Sequence, residues 1–217
     1  MKKIVFILLT SILSSALFAQ LDKKEEKQID KELKSKAIKQ ARKEAKRLKK
    51  DGWTVNPGSL PLDKTLENAW KKQSMTDENS DPIYITADGD AVAETQTAAE
   101  MQAIEMAKLQ LAGLVQTNIN SLISSNIGNA QLNTEEASSV TEIVQSSKNL
   151  ITMELGYVDP FFKIYRDMKD KKVQVKVRLF YDRTQSLDIA KKVVRKEIKD
   201  KLKLNEKKLE KLMGIDE

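Results

Sequence analysis

Val173-Gln174-Val175-Lys176-Val177-Arg178-Leu179-Phe180-Tyr181 alternates: Val173, Val175, Val177, Leu179 and Tyr181 fall on one side, Gln174, Lys176, Arg178 and Phe180 on the other. Successive side chains of a strand point to opposite faces, so this stretch reads as a strand with one apolar and one largely basic face. Such alternation belongs to antiparallel sheets, because parallel strands are covered on both sides and read as continuous apolar runs. The strand therefore needs antiparallel neighbours and a roof over its apolar side.

Both lie upstream. Asp167-Met168-Lys169-Asp170 is a turn, and Phe161 to Arg166 before it reads as a strand. Ile151, Met153, Leu155 and Tyr157 alternate with Thr152, Glu154 and Gly156, so the expected strand starts near Ile151 and is bent or broken by Pro160. Ile83 to Ala87 is a further strand. Asp88-Gly89-Asp90 is expected to interrupt it as a bulge or bend before Ala91-Val92-Ala93. From Thr95 the period changes: Ala99, Ala103, Ala107, Leu111, Leu114, Val115, Ile119, Leu122 and Ile123 mark one face of a long helix running toward Asn126, with Gly128 as its stop. Its early positions are small, which lets a helix approach a sheet closely. A second helix is expected from Thr134 to Ser147, with Thr134 as cap and Ala137, Val140, Ile143 and Val144 inward.

Outside this core, over residues 82–183, the chain is more charged. Residues 20–51 read as a helix with a thin stripe of Ile29, Leu33, Ala37, Ala41, Ala45 and Leu48, ended by Gly52. A stripe this small either docks or frays. Residues 52–81 hold a short extended piece at Trp53-Thr54-Val55, a turn at Asn56-Pro57-Gly58-Ser59, a short helix marked by Leu62, Leu66, Ala69 and Trp70, and a loop. Residues 184–217 read as a second charged helix. Its Ile198, Leu202, Asn205, Leu209 and Leu212 step by four and three, as on a coiled-coil seam, over a stretch shorter than such a seam requires. The fold class is α+β: a small antiparallel sheet of three to four strands on a long Ala-rich helix, with charged N- and C-terminal helices.

Residues 1–19 read as a secretory signal peptide. Met1-Lys2-Lys3 is basic, an apolar run follows, and a small residue, Ala19, precedes polar Gln20, which places the cut between Ala19 and Gln20. Lys2 and Lys3 leave with it, which lowers the net charge from +6 to +4. With 0 Cys and 0 His, disulfides, Cys/His zinc sites, His-based nucleophilic triads and a lipid-bearing cysteine are excluded. Aromatic residues at 5% leave little for base-stacking or sugar-binding clefts.

Several local patterns invite sharper readings. Asp77, Asn79 and Asp81 have the one-three-five spacing of a calcium loop, but Pro82 and Asp88 stand where that loop needs Gly and Glu, so a solvated turn is expected. Asp88 and Asp90 could pair as acid and base; with only Gly89 between them, shaping a bend is the simpler reading. Lys172, Lys176 and Arg178 form a candidate anion surface, with Tyr165 and Phe180 near enough to be imagined as a stacking platform. A solvated sheet face is the plainer alternative. Trp53 and Trp70 read as satellite core.

The order of the core segments, from Ile83-to-Ala93 through the helix with Ala99, Ala103 and Ala107 leading into Leu111 and Ile119, to the paired Ile151-to-Arg166 and Val173-to-Tyr181, resembles the envelope family that includes the twenty-kilodalton lipoproteins. It is also similar to the amino-terminal domain of flagellar assembly protein T. In that group a glycine after the first strand corresponds to Gly89. The resemblance covers residues 82–183 and implies a small, non-enzymatic α/β sandwich that assembles with other envelope proteins. This chain departs from it in lacking the lipid-bearing Cys. Residues 46–53 and 57–62 also resemble exported proteins of gut-type Gram-negative bacteria, which implies a location and no activity.

The expected function is that of an exported, non-catalytic protein of the periplasm or cell envelope of a Gram-negative bacterium, working through protein–protein contacts. Expected partners are envelope proteins, or a second copy met through the charged terminal helices. No cofactor, no small-molecule substrate and no nucleic acid is expected, and at most a peripheral membrane contact. The alternative is an anion-binding module using Lys172, Lys176 and Arg178 on nucleic acid, lipid headgroups or acidic glycans. Both readings rest on one sheet roofed by the alanine-lined helix, with no cavity where reactive groups converge.

Overall fold

The computed structural model describes residues 35, 36 and 38–215. The leader, the Ala19–Gln20 cut and the first part of the charged segment 20–51 lie outside the described residues. In chain order the elements are helix α1 (38–50), α2 (Leu62–Gln73), β1 (Tyr84–Ala93), α3 (Gln96–Asn126), α4 (Thr134–Ser146), α5 (Lys148–Glu154), β2 (Phe162–Asp167), β3 (Val173–Asp182), α6 (Arg183–Leu202) and α7 (Glu206–Leu212). The protein is α+β, with a three-stranded antiparallel sheet of order β1-β3-β2 packed on a long helix.

Alternation in β3 decides the layering. Val175, Val177 and Leu179 are buried with Ala91, Ala99, Ala103 and Ala107, so the apolar face of the sheet meets the first half of α3. Burial at this density supplies roughly 1.5–3 kcal/mol per large aliphatic side chain. The contact is close. A Cβ on Gly89 would lie 1.9 Å from the Ala103 carbonyl oxygen and 3.0 Å from the Ala107 nitrogen. Gly89 is thus neither bulge nor bend. β1 runs unbroken through Asp88-Gly89-Asp90 in register with β3, and the glycine is where the helix backbone rests on the sheet.

α3 is 31 residues long, about 46 Å at helical rise, with Thr95 capping it through a bond from the Ala98 amide. Its second half leaves the sheet and enters a helical cluster. Leu111, Val115, Ile119 and Ile123 pack there with Val140, Val144, Ile151, Val194, Ile198, Leu209 and Leu212. Leu114 does not join this stripe and is exposed. α4 is capped by Asn133 rather than Thr134, in a reciprocal box with Glu136.

Two expectations fail here. Residues 148–154 are helix α5, not the beginning of a strand. Ile151 and Leu155 are buried at a four-residue step, while Met153 is 75% and Tyr157 80% exposed, so the alternation was coincidental. The C-terminal segment is two helices, not one. Lys203 turns left-handed (φ 49°) to end α6, and Asn205, which falls on the four-and-three spacing of a coiled-coil seam, caps α7 through the Lys208 amide. α7 folds back so that Leu209 and Leu212 enter the same cluster as Ala190, Val194 and Ile198 of α6.

The outer face of the sheet is covered too. α1 docks through Ala41, Ala45 and Leu48 on Trp53, Leu62, Leu66, Phe162 and Ile164. Buried Glu67 of α2 holds it by accepting a bond from Arg42 of α1 (2.7 Å), with Lys64 of its own helix also donating (3.0 Å), and the Trp70 indole donates to Glu44 of α1 (3.0 Å). Thr54 exchanges backbone bonds with Tyr165, a single bridge that extends the sheet beyond β2. Both Trp side chains therefore serve the satellite core.

Candidate functional site

Register places the charges. In the β1–β3 pairing, Asp88 stands opposite Arg178 and Asp90 opposite Lys176, all on the outer face. Arg178 grips Asp88 in a two-pronged pair, Nε to Oδ1 at 2.6 Å and Nη2 to Oδ2 at 2.8 Å. Lys176 Nζ lies 3.3 Å from Asp90 Oδ2, and Gln174 donates to Asp90 Oδ1 at 2.6 Å. The line continues through Arg166, which donates to Gln174 (2.8 Å). The Arg166 guanidinium and the Lys176 ammonium stand 4.7 and 5.0 Å from the Trp53 ring. Asp88 beside it holds the Arg178 guanidinium above its ordinary pKa against the opposing cost of burial, and Glu44 of α1 adds to the effect.

Lys172 is not part of this line. It sits in the β2–β3 hairpin, 3.3 Å from Asp170. All three residues of the sequence-derived anion surface thus carry their own carboxylate. The two acids expected to shape a bend are instead the counter-charges of the basic strand. The signal was present in the sequence: acids two apart at Asp88 and Asp90, bases two apart at Lys176 and Arg178, on strands that pair. Tyr165 and Phe180 form no common platform, because Tyr165 packs on the α3 side of the sheet and Phe180 faces outward. There Phe180, Phe161 and Tyr84 surround the Lys72 ammonium, which lies 5.4, 4.8 and 4.4 Å from their rings.

Between α1 and the sheet a cleft of about 310 Å³ remains, lined on its polar side by Glu44, Arg47, Asp88, Asp90, Lys176 and Arg178. It differs from the expected cavity-free sheet because α1 crosses the outer face without filling it. Its acids and bases alternate and neutralise one another. Both Asp88 oxygens accept a bond from Arg178, so the carboxylate is held in an ion pair across the two strands. In the 77–81 loop, Asp77 Oδ1 accepts the Asn79 and Asp81 amides at 2.9 Å each, and Asp81 pairs with Arg183 (3.1 Å). This is an Asx turn. Among the described residues, no group of three or more Asp or Glu is placed to hold a metal ion.

A different surface went unread in the sequence. Met101, Met106, Leu109 and Leu114 of α3 are exposed, as are Leu150 and Met153 of α5. Residues four apart on a helix stand one above the other, so Gln102, Met106, Gln110 and Leu114 form one row, and Met101, Glu105 and Leu109 the row beside it. The longer aliphatic stripe of α3 hid these rows, because a helix with apolar residues on more than one face shows no clean period. Among the described residues, no helix is long and apolar enough to cross a membrane. No family model, curated protein or solved structure matches the chain.

Proposed function

We propose that the chain is an exported, non-catalytic protein of the Gram-negative envelope or periplasm that acts through protein–protein contacts. The observation that carries this reading is the set of large apolar side chains left in solvent on neighbouring rows of α3, Met106 at 52% and Leu114 at 41% exposure among them. Several large apolar groups exposed on adjacent rows of one helix, on a surface otherwise rich in charge, suit a place where another protein sits. The basic leader with its small residue at Ala19 supports export, and the resemblance to envelope proteins supports assembly with others of that compartment. The alternative, an anion-binding module, has to work with cations already paired to Asp88, Asp90 and Asp170.

Cell fractionation with mass determination of the recovered chain tests the reading. The expected product begins at Gln20, is found in the periplasmic or envelope fraction, and gives covalent adducts with other proteins after cross-linking in intact cells. Recovery only from the cytosol with Met1 to Ala19 in place contradicts export. Binding of polyphosphate or DNA that falls steeply with salt favours the alternative.

A further inference from the structure

The two edges of the sheet are treated differently. Beyond β2, Thr54 gives and takes backbone bonds with Tyr165 at 2.9 and 3.0 Å. Among the described residues, no strand lies beyond β1. The Arg183 amide bonds the Ile83 carbonyl, so in the antiparallel ladder Ile85, Ala87, Gly89, Ala91 and Ala93 exchange bonds with β3. Tyr84, Thr86, Asp88, Asp90 and Val92 therefore turn their amides and carbonyls outward. Among the described residues, only the Asp88 amide of this outward set has a partner, the side-chain oxygen of Gln110 at 3.2 Å. That bond places the Gln102–Met106–Gln110–Leu114 row of α3 alongside the open edge. Exposed Met106 and Leu114 stand one turn to either side of the contact point.

We infer that this edge, with Met106 and Leu114 as its apolar wall, receives an extended segment of another protein, which adds to the sheet as a fourth full strand beside β1. The inference rests on the contact-protein reading above and names its surface. Backbone bonding would recognise the segment, and every second side chain would pack on Met106 and Leu114. The other side chains would lie beside Asp88 and Asp90, which favours neutral or basic residues there. That same acid pair argues against a second copy. Antiparallel pairing of two β1 strands over their full length sets Asp88 or Asp90 of one copy opposite Asp88 or Asp90 of the other, and like charges directly opposite destabilise a ladder.

In-cell photo-cross-linking of the full chain tests the inference, with the reactive side chain placed in turn at Val92, Met106 and Met153. Expected are adducts at Val92 and Met106 that drop at least tenfold with Thr86→Pro, which removes an outward amide and no ladder bond. A similar drop is expected with the double variant Met106→Glu and Leu114→Glu, read at Val92, whose exposed positions keep the fold intact should the proline not be tolerated. The adduct's partner segment, made as a synthetic peptide, should slow amide exchange at Thr86, Asp90 and Val92 of the purified chain. Adducts that persist in both variants, adducts of twice the chain's own mass, or a peptide that protects other amides would overturn the inference. Adducts at Met153 alone overturn the edge and leave the contact-protein reading standing; adducts at none of the three positions, in a chain recovered without any cross-linked partner, remove both.

Discussion

The two halves of α3 solve opposite packing problems. Its first half presents Ala99, Ala103 and Ala107, small enough for the helix backbone to rest on the sheet at Gly89. Its second half presents Leu111, Val115, Ile119 and Ile123 and gathers four further helices around large side chains. In the first, any added atom meets backbone. In the second, any removed atom leaves a void. One helix thus carries two interfaces with different tolerances, and the transition falls between Ala107 and Leu111.

Substitution at the close contact should have the largest effect. Gly89→Val puts side-chain atoms into the Ala103 carbonyl and is expected to cost about 3 kcal/mol or more, since overpacking against fixed backbone cannot be relieved by a rotamer. Equal urea midpoints for this variant and the natural chain would refute the contact. At the other end, Ile119→Ala leaves a cavity in the helical cluster, with an expected loss of about 2–5 kcal/mol and an unchanged denaturant slope. Ala103→Met separates the halves: it should destabilise, while Ile119→Met should cost less than about 1.5 kcal/mol.

Smaller effects come from the polar contacts. A double-mutant cycle on Asp88→Ala and Arg178→Ala should return a coupling of about 1 kcal/mol or less, as suits a pair open to solvent on the acid's side. The weakest expected effect is pH-dependent. Lys208, and then the Asn133 amide, hold the Glu136 carboxyl below its ordinary pKa, so its contribution is fully present above the usual carboxylate range of about 4.3 and is lost as the pH falls through its lowered folded value. Melting temperatures of the natural chain and Glu136→Gln should therefore differ by a constant amount near neutrality and converge in acid. Divergence in acid would contradict the assignment.

Much of this architecture was legible from periodicity. β3 alternates without fault, and the Ala-to-Leu stripe of α3 marks the length of that helix and the Ala half that meets the sheet, but not the departure of its second half. What failed had local causes. Ile151, Met153, Leu155 and Tyr157 alternate by accident, and the better signal was Gly156, whose φ of 65° ends α5 as a left-handed residue after a helix. Asp88-Gly89-Asp90 resembled a break because glycine and acids are poor strand formers, yet each is explained by a neighbour distant in sequence: Arg178 and Lys176 for the acids, Ala103 for the glycine. The charged N-terminal segment reads as a docking or partner helix and the C-terminal one as a cap on the domain or an associating helix; the stripes on their described parts are used inside the molecule, at Ala41, Ala45 and Leu48 and at Ala190, Val194 and Ile198. The open edge of β1 had no signature, because an edge exists only once strand order is known.

The proposed function makes the apolar rows of α3 the working surface and the paired cations structural. Parallel quantification of in-cell adducts separates the two, comparing Met106→Lys with Leu114→Lys on one side and Lys172→Ala with Lys176→Ala on the other. The first pair is expected to lose its adducts at an unchanged melting temperature, and the second pair to keep them. Retained adducts in the first pair and their loss in the second would show that the cations, not the apolar rows, make the contact.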